Sequence, residues 1–300
     1  MIPIFFRRRA LGGPLFAVVG SANPTTTAAY STDGKTWTAA TVPSTTGYSS
    51  ICYGPGNMLV AVAGWNATET TAIYSTDGKT WAAATLPAAH YWNAVGASPT
   101  MFVALAAGSN ATAYSTDGIT WTAGTNAASQ QWVSVAYGNG TFVAVASGST
   151  TGAYSTDGIN WTTCTLPSSQ SWQHVCYGGG KFVAISSGTA GAYSTDGINW
   201  TAMTVPAGTA QTWVGLAYGN GMFVIVGDST TDSAYSTDGI NWTLSAISNN
   251  STTWNSITYA GGIFVATAYG GAAAAWSTDG KTWTAATLPA TASWVSVAGG

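Results

Sequence analysis

An all-β chain folded as a seven-bladed β-propeller is what the sequence predicts, and three observations predict it. Ser-Thr-Asp-Gly recurs seven times, beginning at residues 31, 75, 115, 155, 194, 236 and 277, so the period is about forty residues. Within each period, apolar and small polar residues alternate in short runs bounded by Gly, Asn and Asp, the pattern of antiparallel strands joined by tight turns. Finally, the two ends of the chain each carry part of one incomplete unit.

A complete unit reads as four strands. The first is of the kind WVSVAYG (132–138), followed by a Gly-Asn-Gly turn; the second is FVAVASG (142–148), followed by a loop of Ser, Thr and Gly. A third, AYS, runs into the Asp-Gly turn, and a fourth of the kind TWTAGT leads to the next unit. Four strands per forty residues is the size of a propeller blade. At the start, residues 15–20 match a second strand, 29–30 a third and 37–41 a fourth; at the end, residues 293–298 match a first strand with no second. One blade is therefore expected to pair N-terminal with C-terminal strands, closing the ring without an open edge. The expected organisation is an N-terminal arm, 1–12, and one propeller domain, 13–300.

Composition excludes several function classes. Only 6 % of the 300 residues are charged, against ~25 % in ordinary soluble domains. The net charge is −3, and three of the seven basic residues are Arg7, Arg8 and Arg9, so electrostatic nucleic-acid binding is excluded. No apolar run approaches the ~20 residues of a membrane span. The arginines follow the short apolar opening instead of preceding a longer one, so no secretory signal is read. Cys52 and Cys176 occupy a repeat position held elsewhere by Ala136 and Ala217 and read as small buried hydrophobes.

The turn segment Ser31-Thr32-Asp33-Gly34-Lys35-Thr36-Trp37 and its six copies resemble the Asp-box, or BNR, repeat of sialidase-like propellers, in a form one residue shorter between Asp and Gly. The resemblance covers nearly the whole chain. It implies that Asp33, Asp77, Asp117, Asp157, Asp196, Asp238 and Asp279 are structural turn residues, away from any ligand site. Physical chemistry agrees: Gly adopts positive φ in a tight turn and a carboxylate accepts the backbone N–H groups around it.

A glycosidase would need two nearby carboxylates. Outside the turns stand only Glu69 and, on a different part of the ring, Asp228 and Asp232, read as a solvated loop. The arginine triad of a sialidase has no counterpart, because all arginines are consecutive. His174 and Cys176 share one face of a strand, yet two ligands without partners make no metal site. No enzyme activity, metal or cofactor is expected.

The turns repeat almost unchanged, whereas the loops at the opposite face vary: 21–27, 64–71, 108–112 and 227–233 in one set, 88–91, 126–131 and 248–253 in the other. Variable loops on a rigid scaffold are where recognition concentrates. Near that face each first strand begins with an aromatic: Tyr48, Trp92, Trp132, Trp172, Trp213, Trp254 and Trp294. These either wedge between blades or stack on sugar rings, with Gln131, Gln170, Gln211 or Asn255 supplying hydrogen bonds. Trp65 and Tyr91 are loop aromatics beyond the repeat and the better candidates for exposure. The units also resemble the propellers of bacteriophage tail and other virion proteins. That resemblance implies a non-catalytic recognition module on a virus particle, binding a neutral host-surface glycan, with Met1 to Gly12 docking into another virion protein. A capsid or tail decoration protein without a glycan ligand is the alternative, and an extracellular lectin is a further setting.

Overall fold

The computed structural model describes residues 13–21, 28–44, 46–209, 212–228, 230–247 and 253–300. The arm 1–12, residue Gln211 and most of the 21–27 and 248–253 loops lie outside them. The described residues form antiparallel strands and one short 3-10 turn, Pro55–Asn57, and no helix among them is long and apolar enough to cross a membrane. The chain is all-β.

The terminal strands pair as the sequence requires. Phe16–Gly20 runs antiparallel to Trp294–Gly299, with Phe16 opposite Gly299 and Val18 opposite Val297. Leu15 and Gly300 extend the ladder by exchanging backbone hydrogen bonds of 2.9 and 3.0 Å. Ala28–Ser31 and Thr38–Ala40 complete this four-stranded sheet.

Among the described residues the hydrogen-bonded sheets number five, not seven, and none closes on itself: four have four strands and one has eight. The eight-stranded sheet, Trp92 to Thr204, contains three of the Ser-Thr-Asp-Gly turns. Its strands are long, such as Thr122–Gly138 and Thr141–Ser155, because segments read as loops are paired. Residues 108–112 and 126–131 are strand, with Gln130 opposite Ser109; likewise Gln170 lies opposite Ser149. Short, small-residue connections thus stitch consecutive repeats together at the loop face.

Apolar cores lie between repeats. One combines Val60, Val62 and Leu86 with Trp92 and Phe102 of the next repeat; another joins Phe16, Val18 and Trp37 to Val265, Leu288 and Trp294, linking first and last. The second-strand FVAVA segments are buried on both faces, which explains their near-continuous apolar runs. Five residues after each box Trp comes a buried side chain: Val42, Leu86, Leu166, Val205, Ile247 and Leu288 are apolar, but the third copy has Asn126.

Candidate functional site

The turns are built alike in all seven copies. In the third, Ser115 Oγ accepts from Gly118 N at 2.9 Å, and Asp117 Oδ1 accepts from Ile119 N and Thr120 N, both at 2.8 Å. Ser115 Oγ–H donates to Asp117 Oδ1 at 2.9 Å. Gly118 has φ of 72°, and a Cβ there would lie 2.8 Å from Val60 of the preceding repeat, so both conformation and space demand glycine. All seven carboxyls lie below their ordinary value. At Asp279 burial opposes the shift, but hydrogen bonds from Thr282 N, Lys281 N and Ser277 outweigh it and lower the pKa to about 2. At Asp238 the leading cause is the Asn241 side chain, which donates to Oδ2 at 2.8 Å. The turns also touch the preceding repeat: Thr80 bridges Thr41, Thr120 bridges Thr85, and Thr36 bridges Thr287 across the chain ends. Asp33, Asp77, Asp117, Asp157, Asp196, Asp238 and Asp279 thus organise turns that clasp neighbouring repeats.

The aromatics that open the first strands are buried. Trp92, Trp132, Trp172, Trp254 and Trp294 are wholly inaccessible, and Tyr48 and Trp213 nearly so. They fill the space between neighbouring repeats, and the stacking surface for sugar that the alternative assigned them is not exposed. Immediately after each, the register slips by one residue, which leaves Ser49, Asn93, Val133, Gln173, Val214, Asn255 and Val295 as bulge residues. A bulge re-aims a side chain out of the ladder. Here it sends three polar ones across to the next repeat: Ser49 Oγ donates to the Trp92 carbonyl at 2.6 Å, Asn93 Nδ2 to the Trp132 carbonyl at 3.0 Å and Asn255 Nδ2 to the Val295 carbonyl at 2.6 Å.

The first strands enclose a cavity of about 530 Å³, lined from Ser49 through Val135 and His174 to Gly299. His174 is in its wall; burial lowers its pKa to about 4, partly offset by a hydrogen bond with the Val214 backbone. Cys52 and Cys176 are partly buried and pack against the apolar cores between repeats, and Cys52 also lines the cavity. Burial raises both thiols. Among the described residues no three His, Cys, Asp or Glu side chains are placed to hold a metal. Asp232 corrects another expectation: it is buried and accepts a 2.9 Å hydrogen bond from Thr209 Oγ1 instead of lying in solvent.

At one mouth of this cavity is a cleft of about 230 Å³. Ser49, Asn93, Asn255 and Val295 belong to both and form the cleft base, while Trp65, Tyr91 and Tyr269 form its rim. Trp65 is 63 % exposed, Tyr91 39 % and Tyr269 43 %. Gly64 lets the Trp65 loop approach, since a Cβ there would lie 1.9 Å from the Trp92 carbonyl oxygen. Of the sequence candidates, the structure brings Trp65, Tyr91, Asn255 and the buried Tyr48 together and leaves Gln131 and Gln170 apart from them. Tyr269, Ser49 and Asn93 were missed. The signal for Ser49 and Asn93 was their position directly after the buried aromatic, shared with Asn255.

A family profile described as the DUF6242 beta propeller domain matches residues 123–244. No curated protein matches the sequence. Among solved structures, a streptogramin B lyase is 10 % identical with a TM-score of 0.75, covering 95 % of this chain and 91 % of that one. Virginiamycin B lyase from Staphylococcus aureus is 13 % identical with a TM-score of 0.70, covering 81 % and 85 %. YCF48 bound to D1 peptide is 16 % identical with a TM-score of 0.63, covering 89 % and 86 %. At these identities the likeness is one of fold, and the fold is a β-propeller.

Proposed function

We propose that the chain is a non-catalytic recognition propeller whose loop-face cleft binds carbohydrate. One observation carries this reading: Trp65, Tyr91 and Tyr269 expose large ring area around a polar base at the mouth of the central cavity. Exposed aromatic faces beside hydrogen-bonding side chains suit the CH face and hydroxyl edge of a pyranose. Each contact with so well hydrated a ligand is weak, so useful strength comes from several copies on one particle, where avidity adds about 10²-fold or more. A virus particle, the setting implied by the resemblance of the repeats, supplies such copies.

The scaffold we propose is a closed ring of seven blades. The eight-stranded sheet then contributes three blades and each four-stranded sheet one, in keeping with one Asp-Gly turn per blade. Support for closure comes from contacts between the ends of the chain: the terminal strand pair, the Thr36 to Thr287 bridge, and Ile51 N donating to Ser296 Oγ at 3.4 Å. Equivalent bonds join Val95 N to Ser50 Oγ and Val297 N to Ser256 Oγ.

The test is a glycan array probed with the full chain and with a Trp65→Ala/Tyr91→Ala/Tyr269→Ala variant. Binding that the triple variant loses supports the cleft. An array without binding favours the decoration-protein role, and binding unchanged in the variant places the site elsewhere.

A further inference from the structure

The base of the cleft has a chemical polarity that narrows its ligand. Ser49, Asn93 and Asn255 all donate to main-chain carbonyls of the neighbouring repeat. A carbonyl only accepts, so these partners dictate how each amide is turned and where the serine proton points. Each side chain is left with its oxygen to engage a ligand: Oδ1 of Asn93, Oδ1 of Asn255 and the lone pairs of Ser49 Oγ. The base offers three acceptor oxygens, beside the second N–H that Asn93 keeps.

Charge and aromatic surface favour the same kind of ligand. Glu69 is held on the Trp65 loop by Asn66 Nδ2 at 3.1 Å, and its charge reaches Tyr48 in the cleft wall. The four lysines belong to turns at the opposite face, where Lys35, Lys79 and Lys281 lie over the rings of Trp276, Tyr30 and Tyr235. His90 packs edge-on against the buried Trp92 at 5.6 Å. The rim therefore presents π faces and no lysine, with the Glu69 carboxylate on the adjoining Trp65 loop. A cation is attracted to aromatic faces, and a charged donor makes hydrogen bonds roughly twice as strong as a neutral one.

Resting on the carbohydrate reading above, we propose that the cleft selects a sugar bearing a free, protonated amine. The ammonium group has three N–H donors for the three acceptors at the base, while the CH face of the ring lies against Trp65. Acetylating the amine removes the charge and two of its three N–H donors. A carboxylate in its place meets those acceptors and Glu69 with like polarity.

The experiment is ligand-observed NMR and calorimetry on the full chain with glucosamine, glucose, N-acetylglucosamine and glucuronic acid, together with short oligomers of each. Expected is tighter binding of the amine than of glucose by about tenfold, with the acetylated and acidic sugars weaker still. Glu69→Gln, a change on an exposed loop, should reduce the preference for the amine by about threefold. Rising salt should weaken the amine alone. Equal binding of glucose and glucosamine, or binding of the acetylated or acidic sugar as tight as the amine, overturns the proposal and leaves the carbohydrate reading standing. No binding of any of the four series removes both.

Discussion

The turn face and the loop face of this protein solve opposite problems with the same repeat. At the turn face a carboxylate, a serine hydroxyl and a positive-φ glycine recur seven times, and every polar atom named there has a short-range partner within three residues. The loop face is irregular: two connections are paired into the long strands of the central sheet, whereas the 64–71 loop presents Trp65 to solvent. Local bonds repeat cheaply because they depend only on neighbouring residues. One sector of the loop face breaks the repeat, around Trp65, Tyr91 and Tyr269, as the proposed recognition role requires.

Several experiments would break or sharpen this contrast. The largest effect is expected from deleting residues 293–300. The loss strips the partner from Phe16–Gly20 and uncovers the core around Val18 and Trp37, so the shortened chain should lose cooperative unfolding or associate through its open edge. A truncated chain that stays monomeric and melts like the full one would falsify closure through the terminal pair. Next in size is Trp132→Ala, in the interior beneath the loop face, expected to lower stability by about 3–5 kcal/mol in urea denaturation. Trp65→Ala, at the rim of the same face, should change it by no more than about 0.5 kcal/mol. Similar losses for the two would show that the exposed rim is structural.

Asn126→Leu should act in the other direction. Asn126 is buried where the other copies have an aliphatic or valine side chain, and neither its Nδ2 nor its Oδ1 finds a partner among the described residues. Thr112 Oγ1 and Trp132 Nε1 are likewise without one. Since an unsatisfied buried polar group costs about 1–3 kcal/mol, restoring the repeat residue should raise stability by about that amount. A destabilised variant would mean that the amide serves a partner in this sector.

Smaller still is Asp117→Ala, which removes the acceptor for two backbone N–H groups and should cost about 1–2 kcal/mol, read by thermal melting. Acid should produce the same loss in all seven turns together. Their carboxyl pKa values are lowered by folding, so the contribution is complete above the ordinary value near ~4 and declines as pH falls toward 2, the value to which Asp279 is lowered. A melting temperature constant between pH 4 and 2 would contradict the clasp. Asp117→Ala should remove one share of the acid dependence and leave the rest.

The periodic sequence by itself determined the strand pattern, the role of the seven aspartates, the glycines after them and the pairing of the two ends, because each depends on local hydrogen bonding or on a strand left without its partner. It also marked Trp65 and Tyr91, which interrupt a repeat that has no need of them. Only the tertiary structure decided that Trp132 and its counterparts are buried, since exposure depends on how the neighbouring repeat packs. The joining of three repeats into one sheet was settled in the same way, by pairing across short connections. So was the meeting of Tyr269 with Trp65: they are about two hundred residues apart in sequence, and the packing of the first repeats against the last brings them to one cleft.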